Sequence, residues 1–206
     1  MEEVDNRGKI LNTALRIFAE KGYDGSRIDM IASEAGVNKA LIYYYFKSKH
    51  EILDTLFHHF FEEVKIFLFS QFKEVDLRKE SWTDELFLKS FSFLEERSDV
   101  LRLVMIESIK REPEGTHLFE FVDMILGEGP QSLIKFSEKF GVNFREISEN
   151  LDQIRVTEFF TMLAPSILYL VFREKWEIFF KTNKDVFREQ FISAVRMTHI
   201  ASHHNL

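Results

Sequence analysis

Ile28-Asp29-Met30-Ile31-Ala32-Ser33-Glu34-Ala35-Gly36-Val37-Asn38-Lys39-Ala40-Leu41-Ile42-Tyr43-Tyr44-Tyr45 reads as two short amphipathic helices with a glycine between them. Ile28, Ile31, Ala32 and Ala35 recur at helical spacing and turn one face inward. Two helices that cross steeply need a small residue where their backbones meet, and Ala32 supplies it. The turn between them needs positive φ, which Gly36 tolerates without a Cβ clash. Val37 and Ile42 then lock the second helix onto the first, and Phe46 is core. Asn38 is a natural cap for that second helix, which runs to about Tyr45. The segment has the spacing of a helix-turn-helix, although an ordinary helical hairpin shares these few positions.

Upstream, Ile10, Ala14, Ile17 and Phe18 form one helical stripe that stops at Lys21-Gly22, where glycine takes the C-terminal cap. Ser26-Arg27-Ile28-Asp29 reads as a capping box for the helix at 28. Downstream, Ser48-Lys49-His50-Glu51 is another, opening a long helix to roughly Lys73. Further helices are expected near 82–96, 99–111, 116–127, 130–140, 150–173 and 184–202. Pro165 should kink or break the one that contains it. Prolines number three and glycines eight, and no stretch alternates at period two, so the fold class is all-α.

Composition narrows the function. Of 206 residues, 45% are hydrophobic and 30% charged, an ordinary globular balance. The chain has no cysteine, which excludes disulfides and thiolate metal sites. Its acidic start, MEEVDNRGKI, lacks the apolar core of a signal peptide. The most apolar stretch, 159–172, is about fourteen residues and contains Pro165, short for a membrane span. Together these point to the cytoplasm. Net charge is −7, yet residues 1–50 hold eight basic and seven acidic groups, against 19 and 27 beyond. Asn38–Lys49 contains three lysines and no acid. An acidic body with a neutral-to-basic head is compatible with nucleic acid, because phosphates respond to local charge.

Taken together, Ile10-Leu11, Ala14, Phe18, Gly22-Tyr23, Ile31-Ala32, Ala35-Gly36-Val37-Asn38-Lys39-Ala40-Leu41-Ile42-Tyr43-Tyr44-Tyr45-Phe46, Ser48-Lys49 and Ile52-Leu53 closely resemble the N-terminal domain of TetR-family regulators. The resemblance covers about residues 7–57; the rest matches in length and helicity alone. Ser26-Arg27 stands where two Thr/Ser residues are common, and Ala40 where Gly or Ser is frequent. It implies a DNA-binding domain at 1–48 and a helical effector-binding and dimerisation domain at 49–206. The helix at 38–45 is then expected in the major groove, with Asn38, Lys39, Ala40 and Tyr44 facing the bases or phosphates. Tyr43 resembles the family tyrosine that offers its hydroxyl to a phosphate, and Lys49 the family's phosphate-binding lysine. Ser26 and Arg27 are expected on the flanking strand.

The resemblance further implies a homodimer on a pseudo-palindromic operator, its last two helices pairing through Phe160, Leu163, Ile167, Phe187, Phe191 and Val195. A small hydrophobic or amphipathic effector is expected to release it from DNA, with repression the family default. Phe87, Phe91, Met105, Ile109, Phe121, Met124, Phe159, Met162 and Tyr169 are the pocket residues proposed from the sequence, each individually also plain core. The chain's 23 phenylalanines suit such a ligand. Glu107 and Glu158 lie beside apolar stripes, where burial would let them orient a cation. His58-His59-x2-Glu62-Glu63 and His199-x3-His203-His204 have helical ligand spacing, but no metal, and no other cofactor, is expected. No Gly-rich phosphate loop, nucleophile elbow or paired-carboxylate motif supports an enzyme. A DNA-binding protein with a filled core and no effector is the other alternative.

Overall fold

The computed structural model describes residues 5–74, 82–110, 116–126 and 151–200. All their regular structure is helical, with no strand among them. The helices are α1 (Asn6–Lys21), α2 (Ile28–Ala35), α3 (Lys39–Tyr45), α4 (Lys49–Glu74), α5 (Trp82–Glu95), α6 (Ser98–Ile109), α7 (His117–Leu126), α8 (Leu151–Glu158), α9 (Ala164–Phe180) and α10 (Lys184–Val195). A π-helical turn, Phe159–Leu163, joins α8 to α9, and a second, Arg196–Ile200, extends α10. The helix expected at 130–140 lies outside the described residues.

Two compact units are distinguished. The first comprises residues up to 64 together with 99–117, and the second 65–98 with 118 onward. In the first unit the apolar stripes meet as their spacing requires. Ile10, Leu11, Ala14, Ile17 and Phe18 of α1 are buried with Ile31, Ala32 and Ala35 of α2, Ile42 of α3, and Phe46. The first half of α4 adds Ile52, Leu53, Leu56 and Phe57, and α6 adds Leu101 and Val104. Each such side chain contributes roughly 1.5–3 kcal/mol on burial.

Helix ends follow local chemistry, with one departure. Asp5 caps α1, its carboxylate accepting from the Gly8 amide at 2.9 Å. Gly36 is left-handed (φ 62°, ψ 36°). Its amide donates to the Ser33 carbonyl, and the Val37 amide to that of Ala32, a Schellman closure of α2. The Asn38 side chain accepts from the Leu41 amide at 2.7 Å. Ser48 accepts from the Glu51 amide, and the Glu51 carboxylate reaches back past the cap to the Lys47 amide. The capping box expected at Ser26 does not form. The N-cap of α2 is Arg27, with no side-chain cap bond. Ser26 instead is buried and donates its hydroxyl to the Tyr23 carbonyl at 2.5 Å.

In the second unit, rings pack on rings. Tyr169 lies 4.4 Å from Phe191 and 5.0 Å from Phe187, with Phe91 5.4 Å from both Tyr169 and Phe191 (centroid separations). Polar staples tie α5 to α9 and α10: Glu95 accepts from Arg173 at 2.7 Å and from Arg188 at 3.1 Å. Arg196 donates two bonds to Asp84. Pro165 does not break its helix. The π turn before it lets the Ala164 amide reach the Phe159 carbonyl, absorbing a position where proline has no N–H to give. Thr161 and Ser166 add side-chain bonds to the Thr157 and Met162 carbonyls. The apolar run is consequently longer than the sequence suggests. The continuous helix Arg155–Phe180 is long and apolar enough, by length and composition, to cross a membrane.

Candidate nucleic-acid interface

The second helix of the motif presents a face free of acids. Asn38, Lys39 and Ala40 are exposed, Tyr44 is 79% exposed and Tyr43 49%. Ile42 is fully buried and fixes α3 against the unit's core, while Val37 is half-buried in the turn. Tyr45 is half-buried and packs edge-on against Tyr44. Arg27, at the start of α2, is exposed, as are Lys47 and Ser48. The surface therefore combines basic groups, amide and phenol hydrogen-bonding groups, and a short rigid helix held from behind. Such a helix fits a major groove, and its side chains can donate to base edges and phosphates.

Several of these groups are already engaged. Asn38 spends its carbonyl oxygen on the cap, leaving its amide N–H groups to face outward. Lys39 forms an ion pair at 2.8 Å with Asp29 of α2, which holds the ammonium pKa above its ordinary value. Ser26, expected against a phosphate, is 3% exposed with its hydroxyl turned to Tyr23, so its side chain serves the turn rather than the surface. Lys49 donates to the carbonyls of Tyr23 (2.7 Å) and Ser26 (3.0 Å), and its ammonium lies 4.1 Å from the centroid of the Tyr23 ring. An ammonium has three donors, so one remains for a phosphate. This role of Lys49 as fastener of the α1–α2 turn was not legible in the sequence, because Tyr23 and Ser26 lie far from it along the chain.

The profile for bacterial regulatory proteins of the tetR family matches residues 10–56, which are α1 to the first turns of α4. Residues 10–56 are similar to the DNA-binding domain of TetR-family regulators. Among its relatives, the fatty acid metabolism regulator protein of Bacillus subtilis is 28% identical over 148 residues, 70% of this chain and 72% of that one. The biofilm operon negative regulator IcaR of Staphylococcus aureus is 44% identical over 48 residues, covering 23% of this chain and 26% of its own. The fold likeness extends further. The structure of the regulator FadR from Bacillus subtilis in complex with stearoyl-CoA superposes with a TM-score of 0.60 at 20% identity, covering 92% of this chain and 97% of that one. The TetR-family relatives are transcription regulators rather than enzymes.

The residues expected around an effector divide between the two units. Phe87, Phe91, Phe121 and Tyr169 are buried in the second, where Phe159 and Met162 are half-buried. Met105 and Ile109 belong to the first. Ile109, at the end of α6, is 74% exposed. The side chain of Met124 lies outside the described residues. The residues expected at a dimer interface divide as well. Leu163, Ile167 and Val195 are buried inside the unit itself. Phe187 and Phe191 are half-buried and Phe160 is 65% exposed.

The apolar face left open coincides only in part with the expected one. Leu168, Phe172, Trp176, Phe179 and Phe180 are exposed at spacings of three and four, and Phe160 is exposed on the π turn before them. Leu168, Phe172, Trp176, Phe179 and Phe180 of α9, with Phe187 and Phe191 of α10, line an open groove of 690 Å³. Tyr169 also borders it, its hydroxyl buried and without a partner among the described residues. Burial raises the Tyr169 pKa, with Glu95 adding to the effect. Of the acids singled out in the sequence, Glu107 is buried and accepts from Lys110 at 2.9 Å. Glu158 pairs at 3.5 Å with the buried His199, whose Nδ1 lies 2.8 Å from the Thr161 hydroxyl. Among the described residues no group of His and acidic side chains is placed to hold a metal; His203 and His204 lie outside them.

Proposed function

We propose that the protein is a ligand-released repressor, acting in the cytoplasm as a homodimer on a pseudo-palindromic operator. The observation that carries the DNA-binding half is the acid-free, exposed face of α3, with Asn38, Lys39, Ala40, Tyr43 and Tyr44 outward and Ile42 anchored inward. Lys39 and Asn38 read base edges; Arg27, Tyr43 and the remaining Lys49 donor hold phosphates. One such helix covers few base pairs, so specific affinity requires two copies about one helical turn apart. The DNA-reading domain is 1–48 and the effector and dimerisation domain 49–206.

The second copy covers the open face of α9 and α10. Burying six large apolar side chains at roughly 1.5–3 kcal/mol each yields about 10 kcal/mol. That is the order of the association cost, about 4–15 kcal/mol. A partner protein accounts for the length and apolarity of Arg155–Phe180 without a membrane, and charged Arg173, Glu174, Lys175 and Glu177 interrupt its C-terminal turns. The effector is a long-chain acyl thioester, the class bound by the Bacillus subtilis relative. Its tail is held among the rings of the second unit, including Phe87, Phe91, Phe121 and Phe159. Binding shifts the population away from the spacing that fits the operator, through α4, which runs unbroken from Lys49.

Selection of bound sequences from a random DNA pool tests this reading. An enriched inverted repeat supports a sequence-specific dimer; a folded dimer that enriches nothing refutes operator recognition. Adding stearoyl-CoA to the resulting complex then tests the effector. Release by stearoyl-CoA but not by free coenzyme A is expected, and equal operator affinity with and without it overturns this assignment.

A further inference from the structure

We propose that the pair formed by the buried Glu107 and the exposed Lys110 at the end of α6 is a positioning device for DNA binding, acting through Asp24 of the turn that joins α1 to α2. The proposal rests on the DNA-binding reading above. Residues 23–26 form a non-helical turn that leads directly into Arg27 and α2, and α2 is the helix on which α3 is seated. Two lysines grip this turn. Lys49 takes its backbone, at Tyr23 and Ser26. Lys110, 86 residues from Asp24 in sequence, takes the Asp24 carboxylate at 2.7 Å.

Lys110 is itself held in place. The Glu107 side chain is 5% exposed and accepts from the Lys110 ammonium at 2.9 Å. A carboxylate so buried is costly without a cation, so the ammonium stays beside Glu107 whether or not the turn moves. Asp24, 76% exposed, has no such constraint and is the partner that yields. The ammonium between two carboxylates is raised in pKa and the Asp24 carboxyl lowered, chiefly by their mutual hydrogen bond. The end of α6 thus sets where the turn sits, and through α2 where α3 points. Lys110 touches no DNA in this arrangement; it acts through Asp24.

Asp24→Ala in the full-length protein tests this, because the two physical effects of the change have opposite signs. Removing a negative charge from the DNA-reading unit tightens binding by electrostatics alone. Loss of positioning weakens it. Fluorescence anisotropy on the selected operator duplex is expected to show binding about threefold to fivefold weaker, with the slope of log K against log salt unchanged, since no phosphate contact is lost. In a Glu107→Gln/Lys110→Gln background, where no lysine is hydrogen-bonded to the Asp24 carboxylate, Asp24→Ala is expected to cause no weakening. Tighter or unchanged binding by Asp24→Ala overturns the proposal, as does equal weakening in both backgrounds. Failure of the unaltered protein to bind any duplex overturns the DNA-binding reading and this proposal with it.

Discussion

Lys39 illustrates how one residue can be readable in kind and not in state. Its position at the start of α3 suits a guanine contact, but the folded protein holds it in an ion pair with Asp29. Both groups are largely exposed, so the pair is weak and easily exchanged for DNA. Asp29→Asn is expected to free the lysine for any phosphate. Affinity for duplex of mixed sequence should rise, the salt slope should steepen by about 0.9, and preference for the operator should fall. Titrations at several salt concentrations check this, and a slope equal to that of the unaltered protein counts against the pair as a restraint. Gly36 is a second case. A Cβ there meets nothing closer than the Lys9 ammonium at 3.7 Å, so space is not the issue. The left-handed backbone is. Gly36→Ala should cost about 1–2 kcal/mol in urea unfolding, and a cost near zero would mean the turn relaxes.

Among elements, α9 shows why periodicity locates an apolar stripe without saying which of its residues stay open. Its stripe is wide enough to serve two surfaces. Leu163, Ile167 and Leu170 turn toward the unit's own core, whereas Leu168, Phe172 and Trp176 remain exposed. Both sets recur at three and four, so spacing alone does not choose between them; α5 and α10 decide by covering one side. Phe172→Glu places a charge in the middle of the open set and should convert the proposed dimer to monomer with the helical content intact. Light scattering and circular dichroism read the two quantities, and an unchanged dimer would place the interface elsewhere. Pro165 carries a similar lesson. A proline inside a helical pattern signals disruption, yet a π turn and two hydroxyl-to-carbonyl bonds accommodate it.

For the whole molecule, the aromatic stack around Tyr169 couples stability to pH in one direction. The Tyr169 pKa is raised in the folded state by burial, so the unfolded tyrosine ionises first as pH climbs. Folded stability from this group is complete below about 10 and falls as pH rises from there through the higher folded value. The buried hydroxyl also lacks a partner among the described residues. Tyr169→Phe should therefore raise stability by about 1 kcal/mol at neutral pH and flatten the alkaline loss. Thermal melts at pH 7 and in alkali check both; a destabilised variant would mean that the hydroxyl finds its partner across a subunit interface. The division into units follows the same contrast of scales. A boundary near residue 48 follows the motif, but α6 falls in the same compact unit as the first three helices, which no pattern around residues 99–117 announces.

The sequence by itself determined the all-α class, the caps at Asn38 and Ser48, the Gly36 turn and the exposed face of α3, along with the resemblance of residues 10–56 to the tetR family. These depend on neighbours within about one helical turn, where spacing and residue type are sufficient. Only the tertiary structure decided that Ser26 faces inward, that Lys49 and Lys110 grip the same turn, that Glu107 is buried beside a cation, and which side of α9 stays open. Each of these joins residues far apart in the chain, or depends on which element covers which face, and no local pattern encodes which distant partner arrives.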